Sequence, residues 1–330
     1  MSTIGRADDV VLSLEKAKEI LVTAHTSPDA DAIGSAAALV DGLRSLGHRA
    51  FLSFAEPIPE TLEPLVAGIP LEIGAVEESV VDAVVVVDTA TPGRTSQPIA
   101  QLKELQAPLI IIDHHISNPG WGDTNFIDSD APASAVLVMM LLEQMGAPMT
   151  PRIANLLFMG LLDDTGSFRF SNATARAFEA GAKLVAAGAE PLRIANQLYF
   201  SVPQRQLQLR KAALQTLRLE LDGRAALIVV TDDMLRQAGA RAEDTENLVD
   251  EARSIAGTVV AIFIRQMAPG WKVSLRSKDE RVDVQQVAQR FGGGGHRAAA
   301  GCRLSGNLEQ VQQDLLHEVR LALDSAVSGS

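Results

Sequence analysis

ILVTAHTSPDADAIGSAAALVDGLRSL, residues 20–46, passes from a short apolar run through a turn into a helical pattern. The run 20–24 is apolar or β-branched at every position, which suits a strand covered on both faces. The turn carries His25, Pro28, Asp29 and Asp31, and a helix rich in small residues is predicted over 34–46. The same alternation continues along the chain. Runs at 50–54, 83–87 and 109–112 read as strands, and 134–145 and 151–162 as helices, the last with Thr150 as its cap and Pro151 at its first position. Strands interleaved with helical segments build βαβ units, so the first half is expected to be an α/β domain with a mostly parallel sheet flanked by helices.

A chain of 330 residues exceeds the size at which one hydrophobic core keeps growing, and two domains are expected. Residues 191–215 are helical in pattern, polar and free of strand-like runs, and read as a connector. Beyond them, 225–230, 259–265 and 272–276 are predicted strands. Segments 243–255 and 284–291 are predicted helices, and 308–323 a closing amphipathic helix before a soluble tail after Ser325. The expected organisation is a catalytic α/β domain over 1–190, a helical linker over 191–215 and a smaller α/β domain with a mixed sheet over 216–330.

Composition excludes several classes. Hydrophobic residues make up 47% of the chain and charged residues 21%, enough for packed cores, while aromatics reach only 4%. Apolar runs such as 136–142 fall far short of the ~20 residues that cross a bilayer. Asp8 and Asp9 stand where a signal peptide would carry basic residues, and Cys302 is alone, so no disulfide framework or thiolate site is expected and a cytoplasmic protein is read. The net charge of -12 opposes binding of long duplex nucleic acid. The stretch 265–303 is locally basic, with Arg265, Lys272, Arg276, Lys278, Arg281, Arg290, Arg297 and Arg303 against Asp279, Glu280 and Asp283, so a local anion site remains open.

The acids and imidazoles fall at the ends of predicted strands. Strand 20–24 runs into His25, Asp29 and Asp31, strand 83–87 into Asp88, and strand 109–112 into Asp113, His114 and His115. In open parallel sheets the ligand crevice lies outside the carboxyl ends of the strands, so these turns should converge. Carboxylates so crowded either take up protons or bind cations, and oxygen and imidazole donors without sulfur favour Mn2+, Mg2+ or Fe2+. Asp163 and Asp164 end an apolar helix, where the dipole disfavours them, which hints at a functional use.

HTSPDAD at 25–31, VVVVD at 84–88, DHH at 113–115, LLDDTGSFRFSN at 161–172 and GGGGHRAAAG at 292–301 together resemble the DHH/DHHA1 phosphoesterases, over nearly the whole chain. Within them the chain is most similar to the bacterial nanoRNase and pAp phosphatase group (NrnA-like). The resemblance implies that His25, Asp29 and Asp88 bind one metal ion and that Asp31, Asp88, His114 and Asp164 bind a second, with Asp88 bridging. It implies that Asp113 orients an imidazole and that His115 contacts the phosphate or its leaving oxygen, where an imidazole titrating near neutrality suits a general acid. Two divalent ions roughly 3.5 to 4 Å apart would activate water for in-line displacement. In the second domain it assigns substrate binding to Arg276 and Ser277, to Gly293, Gly294, Gly295 and His296, and to Arg169 of the first domain, around a cleft that favours short chains.

The implied activity is an exonuclease-like hydrolysis of short oligoribonucleotides to mononucleotides and of 3′-phosphoadenosine 5′-phosphate (pAp) to AMP. Alternatives are a phosphodiesterase for cyclic or linear dinucleotides, an inorganic pyrophosphatase, which shares the metal motifs but not the GGGGH-type second domain, and a nucleotide sensor without turnover. A homodimer is expected from the commonness of twofold assemblies alone. Other features have plainer readings. Phe168 and Phe170 are core residues first and base-stacking platforms second, the glycine run alone is an ordinary flexible connector, His48 and His317 have no ligand neighbours in sequence, and the pairs Glu77-Glu78 and Asp232-Asp233 are loop or helix-start acids.

Overall fold

The computed structural model describes residues 3–76, 81–245 and 248–328, so the Glu77-Glu78 pair lies outside the described residues. The chain divides into two compact units, Met1–Ser201 and Val202–Ser330.

The first unit is built on β1 (Thr3–Gly5), β2 (Glu19–Thr23), β3 (Arg49–Phe54), β4 (Leu71–Ile73), β5 (Ala83–Val87), β6 (Leu109–Asp113) and β7 (Thr124–Asp128). They form one sheet in the order β1-β7-β6-β5-β2-β3-β4. Every neighbouring pair is parallel except β1 with β7. The helices are α1 (Ala7–Lys16), α2 (Ala30–Ser45), α3 (Glu63–Val66), α4 (Ile99–Glu104), α5 (Ser134–Gln144), α6 (Pro151–Asp164), α7 (Ala175–Ala186) and α8 (Pro191–Tyr199). Side chains of the central strands alternate between two cores, as the twofold period of a strand requires. Ile20, Val22, Val85, Val87, Ile110 and Ile112 join the large core formed with α2, α5 and α6. Leu21, Val84, Val86, Leu109 and Ile111 join the opposite one, with Leu102 of α4. Both faces being covered, these strands are apolar throughout.

Helix α2 is buried over most of its length because α6 packs against it. A Cβ at Gly34 would collide with the backbone of α6 at Leu156, so glycine is what lets the two helices approach. The sheet order also sets the site. From β2 the chain moves outward to β3, whereas from β5 it moves the other way to β6. Such a reversal leaves a crevice at the carboxyl ends of β2 and β5, where His25 and Asp88 stand.

The second unit carries a mixed sheet in the order β12-β13-β11-β10-β9-β8, from β8 (Arg218–Glu220), β9 (Ala225–Val230), β10 (Val260–Met267), β11 (Gly270–Ser277), β12 (Gly294–His296) and β13 (Ala299–Ser305). Only β9 with β10 is parallel among these described strands. Its helices are α9 (Gln204–Gln215), α10 (Asp232–Ala238), α11 (Leu248–Arg253), α12 (Val284–Arg290) and α13 (Leu308–Ser328). Leu227, Ile262, Ile264, Val273 and Leu275 face α12 and α13, while Ala226, Ile228, Ala261 and Phe263 face α9 and α11.

Several segments differ from the sequence reading. The 191–215 segment is two helices: α8 buries Ile194 in the first unit's core, and α9 buries Leu209 and Ala213 in the second's. The helix expected over 243–255 is a 3-10 turn, Glu243–Thr245, and the shorter α11. Asp244 holds that turn by accepting from Arg205 Nε at 2.9 Å and from the Arg241 backbone at 2.7 Å. Asp232 and Asp233 open α10 behind the cap Thr231. The tail expected after Ser325 continues α13 to Ser328. No described helix is long and apolar enough to cross a membrane.

Candidate metal centre

Asp29 caps α2, its Oδ1 accepting from the Ala32 backbone at 3.0 Å, so the helix starts at Ala30, four residues earlier than the sequence pattern suggested. Asp31 is thereby carried into the first helical turn and points inward, 1% exposed. Its Oδ2 accepts from the Ser134 backbone at 2.7 Å, and its Oδ1 from the Ala135 backbone and the Ser35 hydroxyl at 3.0 and 2.9 Å. Gly160 of α6 leaves room for that carboxylate, because a Cβ there would overlap Asp31 Oδ1. Before the turn, His25 makes an isolated β-bridge with Thr95, and its Nδ1 lies 2.9 Å from the Thr26 carbonyl. Its Nε2 lies 3.6 Å from Asp29 and 3.4 Å from Asp88.

Asp88 leaves β5 in the left-handed region, φ 52°, a conformation unfavourable for a non-glycine residue and frequent where function holds it. It is 3% exposed. Its Oδ1 accepts from the Ser134 hydroxyl at 3.0 Å and lies 3.5 Å from His114 Nε2. At the end of β6, Asp113 is fully buried and receives His115 Nδ1 at 2.7 Å and the His114 backbone at 2.9 Å. His114 Nε2 also faces Asp164, the last residue of α6, at 3.6 Å. Three sets of donors, each with atoms within 4.8 Å of one another, result: His25, Asp29 and Asp88; Asp88, His114 and His115; and Asp31, His114 and Asp164. Of the acidic pair, Asp163 accepts from the Ala30 backbone at 3.3 Å. It serves the N-terminus of α2, where the helix dipole favours an anion, while Asp164 faces the cluster.

Burial opposes charge on Asp31, Asp88, Asp164, His25, His114 and His115, and the neighbours decide which win. Burial raises Asp31 to about 7, helped by the charge of Asp88, and raises Asp164 well above the carboxylate range, with Asp31 and Asp88 adding to it. Burial pushes Asp88 the same way, but His25, His114 and His115 outweigh it and hold it low. His25 is driven down by burial and up more strongly by Asp29 and Asp88, to about 11. His115 is driven down by burial but raised overall by Asp113 and Asp88, so it does not keep the ordinary near-neutral value expected from the sequence. The ion-pair partners of Asp29, Asp88 and Asp164 among the described residues are imidazoles. A nest of buried carboxylates with imidazoles, in which burial and like charge raise the pKa of Asp31 and Asp164, fits divalent cations that would supply the missing positive charge.

The other expected site residues are placed as follows. Arg169 is exposed and donates to the Gly166 carbonyl. It follows three consecutive residues with positive φ, Gly166 at 55°, Ser167 at 60° and Phe168 at 59°. Phe168 is packed on Phe158 and Phe178, ring centres 6.4 and 5.0 Å away, as the core reading expected, whereas Phe170 is exposed and departs from it. In the second unit, Arg276 of β11 and His296 of β12 both pair with Ala299 of β13, so they stand on one rung and one face of the sheet. Burial lowers the pKa of Arg276. The Ser277 hydroxyl donates to the Asp279 carbonyl at 2.9 Å, closing the turn after β11. The glycine run is not a free loop: Gly294 and Gly295 are in β12, and a Cβ at Gly295, φ 141°, would come within 2.5 Å of the Ala299 carbonyl. Glycine there permits close strand pairing.

Ser134 and Asn118 take part in the cluster without having been foreseen. Each is a small polar residue whose partners lie far off in sequence or in an adjoining turn, and nothing in the local pattern marks it.

Comparison with known proteins bears on the whole chain. Residues 19–161 match the model of the DHH family N-terminal domain, and residues 224–324 that of the DHHA1 domain. The bifunctional oligoribonuclease and PAP phosphatase NrnA of Thermus thermophilus is 32% identical over 93% of this chain and 91% of its own length. The protein of the same name from Bacillus subtilis is 26% identical over 86% and 89%. The crystal structure of an exopolyphosphatase-related protein from Bacteroides fragilis superposes with a TM-score of 0.85 at 23% identity, covering 96% of this chain and 97% of that one, which speaks for the fold. With both domain models matched in order and a full-length relative above 30% identity, the chain belongs to the DHH family with a DHHA1 domain, the metal-dependent phosphoesterases.

Proposed function

We propose that the protein hydrolyses short oligoribonucleotides to mononucleotides and pAp to AMP, using two divalent cations, Mn2+ foremost. The observation that carries this reading is the convergence of three overlapping His/Asp donor sets, two of which share Asp88 and two His114. In it His25, Asp29 and Asp88 hold one ion, and Asp31, Asp88, His114 and Asp164 the other. When bound, the pair supplies activation of water and neutralisation of phosphoryl charge. Asp113, bonded to His115 Nδ1, keeps the ring oriented so that Nε2 can give a proton to the leaving oxygen. Arg276 and His296, on one sheet rung, are assigned with Ser277, Gly293, Gly294 and Gly295 to the substrate's distal nucleotide, and Arg169 to the substrate as well. The identity to two NrnA proteins over most of the chain supports the choice of substrates.

The test is Mn2+-dependent release of mononucleotide from a diadenylate and of phosphate from pAp, native protein against Asp88→Ala. Turnover of both by the native protein and loss of both in the variant, with its fold intact by circular dichroism, is the expected result. A folded, Mn2+-loaded native protein inert to both, yet active on a cyclic dinucleotide, would replace this reading.

A further inference from the structure

Asn118 lies in the turn after β6 and is 3% exposed. Its Oδ1 accepts from the Gly120 backbone at 2.9 Å, which settles which end of the amide is nitrogen. Its Nδ2 donates to Asp113 Oδ2 at 2.6 Å and to the Thr89 carbonyl at 3.2 Å. One amide therefore spans two strand ends, the residue after Asp88 and the acid that holds His115. Asp113 Oδ1 already receives His115 Nδ1 and the His114 backbone. A carboxylate held at one oxygen can still turn about its Cβ–Cγ bond, and the ring bonded to it turns with it. Held at both oxygens it cannot.

We infer that Asn118 is a positioning residue for hydrolysis, locking the plane of Asp113 and so aiming His115 Nε2 at the leaving oxygen of the substrate. The inference rests on the role given to His115 above. In the step concerned, the oxygen of water bonds to phosphorus as the bond from phosphorus to the leaving ribose oxygen breaks. The Nε2 proton of His115 passes to that oxygen, and the proton released by the water restores the histidine.

The experiment compares Asn118→Ala and Asn118→Leu with His115→Ala on two substrates, a diadenylate and the p-nitrophenyl ester of thymidine 5′-phosphate, whose leaving group needs no proton. Asn118→Leu keeps nearly the volume and cannot donate, so it serves should the cavity left by alanine prevent folding. Each variant should lose about 10- to 100-fold in kcat on the diadenylate, less than about threefold on the aryl ester, and change Mn2+ affinity, read by calorimetry, by less than about twofold. Asn118→Ala added to His115→Ala should cost nothing further. Equal losses on both substrates, or Mn2+ affinity falling in step with kcat, would overturn the inference and make Asn118 part of the scaffold of the metal ligands. If His115→Ala shows the leaving-group selectivity and the Asn118 variants do not, this inference alone fails. If His115→Ala shows none, the role given to His115 fails with it.

Discussion

Ser134→Ala should weaken cation binding while leaving the fold intact. The Ser134 hydroxyl donates to Asp88 Oδ1 at 3.0 Å, and the two residues are 0% and 3% exposed, so water does not readily take the donor's place. The bond is already made in the metal-free fold, so its effect on affinity comes from orienting Asp88, and loss of a partner that orients a metal ligand typically costs about 10- to 100-fold in affinity. The substitution isolates the hydroxyl, since the backbone N–H of residue 134 still serves Asp31 Oδ2 at 2.7 Å. Ser35→Ala is the internal control: Asp31 Oδ1 keeps its bond from the Ala135 backbone, so the loss there should stay under about fivefold. Calorimetric titration of Mn2+ into chelator-stripped protein measures both, with circular dichroism to verify folding. Native affinity in Ser134→Ala, or an equal loss in Ser35→Ala, would refute the argument that Asp88 is oriented from the start of α5.

Gly160→Ala places a methyl group against Asp31 Oδ1 and within 3.0 Å of the Ala135 Cβ, and should cost about 1 to 3 kcal/mol in denaturant unfolding along with part of the Mn2+ affinity. A variant as stable and as tightly binding as the native chain would show that Asp31 has room to spare. Stripped of metal, the protein should lose stability as pH rises. Asp31, at about 7 in the fold against 3.8 as a model value, holds a proton in that window that the unfolded chain releases, so stability falls as pH climbs from about 4 to about 7. His25, raised from 6.5 to about 11, adds stability that is complete below about 6.5 and drains away as pH rises through about 11. Thermal melts at a series of pH values should show that fall, shallower in Asp31→Asn between about pH 5 and 7, and saturating Mn2+ should reverse it because deprotonated ligands bind cations best. A metal-free slope that is flat, or that Asp31→Asn leaves unaltered, would contradict the assigned burial of charge.

What was legible in the sequence rests on local rules. The apolar runs at 83–87 and 109–112 announce strands covered on both faces, and the acids and imidazoles that follow them announce a crevice at the strand ends, because the twofold period and the parallel-sheet rule act over a few residues. The family motifs then point to the same residues. Short elements with weak patterns escaped: β7, with Thr124 and Asn125 at its start, and β13, whose small residues follow the glycine run, take their strand form from their neighbours. So did the use of Asp163, which looks like a misplaced helix-end acid until α2 is seen to begin against it. Only the tertiary structure decided that Ser134 would hold Asp31 and Asp88 together across 103 and 46 residues of chain, and that Gly160 would leave room for the Asp31 carboxylate. Periodicity and propensity report which face of an element is buried, whereas the orientation of a ligand depends on donors that only packing brings within 3 Å, and no local pattern encodes that distance.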